Sequence, residues 1–291
     1  MQPLIASAPA VGAHALQTGP TDAELFEYVF GGGNTLLALS FVINIALAGL
    51  TILGIVYLGR SLTDPRSKTI ATALLLISVV SISSYTGLTS GLTLSVIEMP
   101  AGHPAAGATT AGESGVLVMW GRYLTWTFST PFILIALGLI AGSNWTKILT
   151  TCAFTIAMCV TGLAAALTTS SLVLRWWWFV LGSIFFLVIV YVILVDWTAE
   201  AERTGTSELF RTLKLLTVVG WFGYPILWML GVEGIAILDV AITSWGYSIL
   251  DIITKYIVTF LALFYIVDEP ESITGGSDYG ATIPGSGVSD D

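Results

Sequence analysis

Lys255 and Asp251 lie four residues apart in one long apolar run, so on a helix they share a face. Arg122 lies in another such run. Charge at membrane depth is costly and marks a functional site by default. Lys255 is near the middle of its run, too deep to reach either interface. Two cations therefore face one carboxylate, and one positive charge is left over. A free lysine relieves that excess by losing its proton. A lysine held as a protonated imine cannot, and needs a counter-ion. The competing reading is a structural ion pair between Asp251 and Lys255, with Arg122 at an interface.

Aromatic residues surround the same positions. Trp221, Tyr224 and Trp228 recur at three and four residues, on one helix face with Pro225 beside them. Trp126 stands four residues after Arg122. Together they define a flat apolar slot around a long conjugated ligand. Such a stripe taken alone reads as bundle packing or an interface belt. Here three helices contribute around one lysine.

The elements that must position these residues are long apolar runs, at roughly 34–59, 68–97, 116–141, 146–170, 174–198, 209–231 and 238–266. Each reaches the roughly 20 residues that cross a hydrocarbon core. They are continuous rather than alternating, which excludes membrane strands. The chain has 291 residues, 55% hydrophobic and only 10% charged. Soluble domains carry about 25% charged residues. A soluble globule, a collagen, a disulfide scaffold, a disordered chain and a nucleic-acid binder are all excluded.

Breakers fall between the runs: Thr63-Asp64-Pro65, the long stretch with Pro100, Gly102, Pro104 and Gly107, and Gly142-Ser143-Asn144. The fifth connection, 199–207, is short and polar. Short connections force antiparallel neighbours. The fold class expected is all-α, a seven-transmembrane-helix up-down bundle, multi-pass in the cell membrane and surrounded by lipids. Arg60, Arg66, Lys68, Lys147, Arg203, Arg211 and Lys214 gather on one side, and only Arg175 falls in the opposite loops. Basic residues stay inside, so the N-terminus is expected outside and the C-terminus cytoplasmic. Residues 1–23 read as a flexible segment with no secretory signal, 24–266 as the membrane domain and 267–291 as an acidic cytoplasmic tail.

Net charge is -9, with acids gathered at the two ends. Such surfaces suit a high-salt medium, and equally serve as ordinary solvated tails. Cys152 and Cys159 are seven apart. That is about 10 Å of helical rise, too far for a disulfide, so they read as small buried hydrophobes. No metal site is indicated.

At these residues the chain resembles the microbial (type 1) rhodopsins. L-D-I-I-T-K at 250–255 looks like their retinal-attachment stretch. R-Y-L-T-W at 122–126 is similar to their third-helix signature, and W-F-G-Y-P-I-L-W at 221–228 to their sixth-helix pocket. The resemblance covers about residues 24–266. It implies all-trans retinal on Lys255 as a protonated Schiff base, Asp251 as counter-ion, and a pocket of Trp126, Met158, Gly162, Trp178, Phe186, Trp221, Tyr224 and Trp228. It also implies a homotrimer.

The triplet Thr125, Ser129, Ala136 resembles the haloarchaeal halorhodopsins, which are light-driven inward chloride pumps. Proton-pumping relatives carry carboxylates at the first and third of these positions. With Thr125 in place of an acceptor carboxylate, the excess positive charge calls for one more anion. At about 4 Å and an effective dielectric near 20, unit charges attract by about 4 kcal/mol. Chloride is expected near Arg122, Thr125, Trp126 and Ser129. Either hydroxyl could instead bond back to the preceding helical turn.

The resemblance further places Tyr85 near the counter-ion. Lys214 and Thr217 match a cytoplasmic chloride path, although Lys214 serves equally as a positive-inside anchor. Glu233 matches an outer glutamate whose usual partner position here holds Thr243. Thr155 stands where many relatives have aspartate. His103 reads as a solvated loop residue. The expected activity is ion transport rather than enzymatic turnover. The alternative is a sensory rhodopsin that signals through a transducer, against which the absence of a carboxylate at 125 counts.

Overall fold

The structure, a computed structural model, describes residues 19–31 and 33–268. Most of the expected flexible N-terminal segment lies outside the described residues, as do the tail acids Glu269, Glu271, Asp278, Asp290 and Asp291. Helix α1 (Asp22–Phe30) starts earlier than the expected boundary at 24, because Thr21 and Glu24 form a reciprocal capping box.

Seven helical spans among the described residues are long and apolar enough to cross a membrane. They are α2 (Thr35–Gly59), α3 (Pro65–Thr89), α4 (Gly121–Ala141), α5 (Trp145–Leu167), α6 (Leu172–Tyr191) running on into α7 (Trp197–Thr204), α8 (Ser207–Leu230), and α9 (Val240–Asp251) running on into α10 (Val258–Asp268). Leu50, Leu53, Val56, Val173, Leu215 and Val219 are exposed on the outer faces of the bundle. In water that surface would aggregate; in lipid it is the solvated surface. The chain is a multi-pass protein of the cell membrane.

Local chemistry sets the helix ends. Asp64 accepts from Ser67 N at 2.8 Å with Pro65 in the first turn, which starts α3 three residues before the expected 68. Gly142, at φ +79, closes α4 in the left-handed conformation. Asn144 then caps α5 by accepting from Lys147 N at 2.9 Å.

Two expected spans were too long where they meet. The run 68–97 ends as helix at Thr89, and 116–141 becomes helical only at Gly121. Gly91, at φ +79, turns the chain; a Cβ there would sit 2.3 Å from Asp22 O. Beyond it β1 (Ser95–Ile97) pairs antiparallel with β4 (Val116–Val118), and β2 (Thr109–Thr110) pairs with β3 (Glu113–Ser114). Continuous apolarity does not distinguish a short buried strand from a helical turn. These ribbons cap one end of the bundle, called here the hairpin end; the other, carrying Arg60, Lys68 and Arg203, is the basic end.

The fifth span also differs from 174–198. A π-helical turn at Val192–Asp196 carries it into α7, so the corner shrinks to Gly205 and Thr206. A second π-helical turn, Ile252–Ile257, joins α9 to α10 and contains Lys255. Such turns are frequent at functional sites. Cys152 and Cys159 are both free and buried.

Candidate functional site

Asp251 is the hub of the buried cluster. Lys255 Nζ lies 2.9 Å from its Oδ2. The Tyr85 hydroxyl donates to Oδ2 at 2.7 Å, and the Tyr224 hydroxyl donates to Oδ1 at 2.6 Å. Arg122 donates through Nη1 to the Tyr85 oxygen at 3.0 Å, and through Nη2 to Ser244 Oγ at 2.6 Å. Arg122, Asp251 and Lys255 are each at most 2% exposed. The four-residue spacing and the third-helix arginine therefore converge as their positions implied.

An aromatic cavity of about 120 Å³ opens from Lys255. Trp126, Met158, Gly162, Phe186, Trp221, Tyr224 and Trp228 all line it. Trp126 meets Tyr123, Tyr224 and Tyr247 edge-on, with ring centroids 5.1, 5.2 and 5.1 Å away. Gly162 lets the wall come close, since a Cβ there would lie 3.5 Å from the Tyr123 ring. An elongated apolar molecule with one carbonyl matches this donor set: flat aromatic walls and one primary amine at the end. Retinal has that chemistry.

Trp178 is the exception among the expected pocket residues. It packs partly buried in the cluster around Val116 and Val118, while its neighbour Phe179 lines the cavity with Gly182, Ser183 and Phe186. Phe179, Gly182 and Phe186 sit at three- and four-residue intervals, so one face of α6 includes them and excludes Trp178. Phe179 stacks on Trp228 with centroids 4.6 Å apart.

Tyr247, Ser244, Thr254, Tyr123 and Ser84 were not singled out from sequence. Ser244 and Tyr247 precede Asp251 by seven and four residues, on the face that carries the charge. That spacing was a usable signal.

The hydroxyls divide. Thr125 donates to Gly121 O at 3.0 Å, the bond back to the preceding turn, and pairs closely with Ser84 Oγ. Ser129 is fully buried and its Oγ has no partner among the described residues. Thr217 Oγ1 and Thr155 Oγ1 are likewise buried without partners. Lys214 lies at the basic end, where its Nζ donates to Thr198 Oγ1 at 2.7 Å. It is a turn from Thr217 but is not in the cavity.

At the hairpin end two expectations change. His103 is buried, not solvated: its Nδ1 accepts from Ala105 N at 3.1 Å, and Nε2 lies 3.4 Å from Glu233 O. Burial holds its imidazole below the ordinary range, and Arg175 pushes the same way. Arg175 is inside α6 rather than in a loop, donating to Glu233 O at 2.8 Å and Ala166 O at 2.9 Å. Glu233 accepts from the Tyr123 hydroxyl at 2.9 Å. Its carboxyl is raised by burial, against the opposing pull of Arg175. Thr243 donates to Asp239 O and makes no bond to Glu233.

Fold and site together define a seven-helix membrane protein with an internal aromatic cavity ending at a buried lysine beside Asp251. Residues 35–269 match the family described as bacteriorhodopsin-like protein. The halorhodopsin of Natronomonas pharaonis is 59% identical over 269 residues, covering 91% of each chain. That of Halorubrum sodomense is 54% identical, covering 92% of this chain and 93% of its own. Among solved structures, one described as halorhodopsin, a light-driven chloride pump, superposes at TM-score 0.79 with 48% identity, over 83% of this chain and 99% of its own. A bromide-bound halorhodopsin from Halobacterium salinarum gives TM-score 0.79 and 48% identity, over 82% and 97%. The chain belongs to the bacteriorhodopsin-like family of microbial rhodopsins, in its halorhodopsin branch.

Proposed function

We propose that this protein is a light-driven inward chloride pump, with retinal attached at Lys255 Nζ and chloride as its cargo. The observation that carries the reading is the charge count at the site. Lys255 and Arg122 share the single carboxylate of Asp251, and the third-helix position nearest Arg122 on its face holds Thr125. The relatives named as halorhodopsins and the bromide-bound relative support it.

Bound retinal supplies light absorption and a change of shape that reorients the Lys255 N–H. The chain's own groups do the rest. Asp251 is fixed by two tyrosine hydroxyls, so its charge stays at one place. Arg122 provides the second positive charge on the hairpin side. Ser129 offers a hydroxyl that no protein acceptor uses. Thr217, buried and unpaired in α8, offers the next one towards the basic end. Trp126 walls the halide position from the cavity. Lys214 then serves at the exit.

The orientation rests on the basic residues: the hairpin end faces outward, and the basic end, with the acidic tail, faces the cytoplasm. A homotrimer surrounded by membrane lipid belongs to the same reading. A transducer-coupled sensory role is disfavoured by the halorhodopsin relatives.

Illumination of cells in unbuffered medium tests the pump. Inward anion transport draws protons in passively, so the medium turns alkaline and a protonophore enhances the change. Acidification abolished by the protonophore would identify a proton pump instead. At residue level, chloride titration of a chloride-free preparation should shift the visible band saturably, with gluconate inert. Ser129→Ala should raise the dissociation constant roughly 10- to 150-fold, the loss of one hydrogen bond to a charged group at about 1.5–3 kcal/mol. Thr125→Val should have the smaller effect, because that hydroxyl already donates to Gly121 O. An unchanged titration in both variants removes these residues from the halide site.

A further inference from the structure

Behind the lysine helix, on the side away from the aromatic cavity, runs a second buried polar seam. Tyr256 follows Lys255 but points to α2, where its hydroxyl donates to Asn44 O at 3.1 Å. Neither Tyr256 nor any α2 residue lines the cavity. Asn44 Nδ2 donates to Ser40 O at 2.8 Å, which leaves its Oδ1 without a partner. Ser81, on α3, lies beside the Tyr256 hydroxyl. Ser78 lies one turn before Ser81, and Thr259 lies one turn after Tyr256. Asn44, Ser78, Ser81 and Thr259 are all fully buried, each with an oxygen that has no partner among the described residues.

Local bonding does not account for these hydroxyls. Many helical Ser and Thr of the bundle donate back to the carbonyl four residues earlier, as Thr51, Thr72, Ser83, Thr127, Thr150 and Thr254 do. Ser78, Ser81 and Thr259 do not. Buried polar groups are paired as a rule, and where protein partners are missing the partner is ordered water.

We propose that α2, α3 and α10 enclose a closed water-binding pocket held by Asn44, Ser78, Ser81 and Thr259. Its ligand is neutral water rather than a halide. The Asn44 oxygen needs a donor, which a halide is not, and the four side chains of the seam carry no charge to hold an anion. Four unused oxygens serve about one or two waters at two to four hydrogen bonds each. The pocket stops short of the basic end. On α3 the next buried residues are Ile77, Leu74 and Ile70, and on α10 they are Ala262, Leu263 and Ile266. It therefore solvates and loosens the back of the helix carrying Lys255, one turn from Tyr85, without opening a path.

A structure of the full chain at resolution sufficient for ordered solvent, about 2 Å or better, tests the placement. Density within hydrogen-bonding distance of Asn44 Oδ1 and of Ser81 or Thr259 is expected. Side chains bonded directly to one another, with no solvent between them, would overturn the proposal. The double variant Ser78→Ala, Thr259→Val gives an independent reading. If the groups hold water, removing them strips its ligands, and the melting midpoint falls by about 2–4 °C. If the seam is dry, removing unpaired groups leaves the midpoint unchanged or raises it, which sinks the idea.

Discussion

Lys255→Ala abolishes the red-shifted retinal band when the purified protein is regenerated with all-trans retinal. Among the described residues no other amine reaches the aromatic cavity. Lys147 is tied to Glu200 at 2.5 Å, Lys214 donates to Thr198, and Lys68 stands in the first turn of α3 at the basic end. The variant leaves Asp251 held by Tyr85 and Tyr224, with Arg122 one hydroxyl away, so its charge remains compensated. Misfolding is separated from loss of attachment by chemical rescue. A small alkyl amine that has condensed with retinal should enter the cavity of a folded variant and restore much of the red shift. A hydroxylamine-sensitive band at wild-type strength without added amine would mean that attachment lies elsewhere.

Thr125→Asp converts the protein, at least in part, to outward proton transport. The site has two cations and one carboxylate, and on the proposed reading chloride supplies the difference. An aspartate at 125 supplies it covalently. Like-charge repulsion of about 4 kcal/mol at 4 Å and an effective dielectric near 20 is of the size that lowers halide affinity by orders of magnitude. The visible band should lose its chloride dependence. Ser84 and Thr125 already lie in contact, so the new carboxylate finds a hydroxyl donor in place. It also gives the proton on the Lys255 nitrogen an acceptor on the hairpin side. Return of a proton from the basic end stays slow, because Ala136 is a buried methyl with no carboxyl to give one. Added azide, a small diffusible acid, should quicken the cycle. Light-driven pH change in cells, with and without protonophore, reads the outcome. Chloride import at the wild-type rate, with colour still tracking chloride, would show that position 125 does not select the ion.

Much of this architecture is one-dimensional. A helix in lipid satisfies its own backbone, so span number and type follow from the length of each apolar run. Asp251 and Lys255 share a face because they are four residues apart, and the Trp221, Tyr224 and Trp228 stripe follows the same arithmetic. Gly142 and Asn144 mark a boundary by their own conformational chemistry. These features need no partner, and sequence determined them.

Other features depend on what each segment meets. The residues at 95–97 and 116–118 are apolar enough for helix, and become strands because each finds the other across the hairpin end. Trp178 and Phe179 are adjacent large aromatics, and only the rotation of α6 against α5 and α8 decides which of them faces the cavity. His103 is buried because Glu233, 130 residues away, comes to its ring. Thr125 and Ser129 are equivalent by spacing. Neighbouring Ser84 draws the first into a bond, while nothing draws the second, so Ser129 alone keeps a free hydroxyl. Residue type and period fix which groups exist and on which face. The packing of one helix against another fixes which are already spent, and that difference sets what is left to bind an ion.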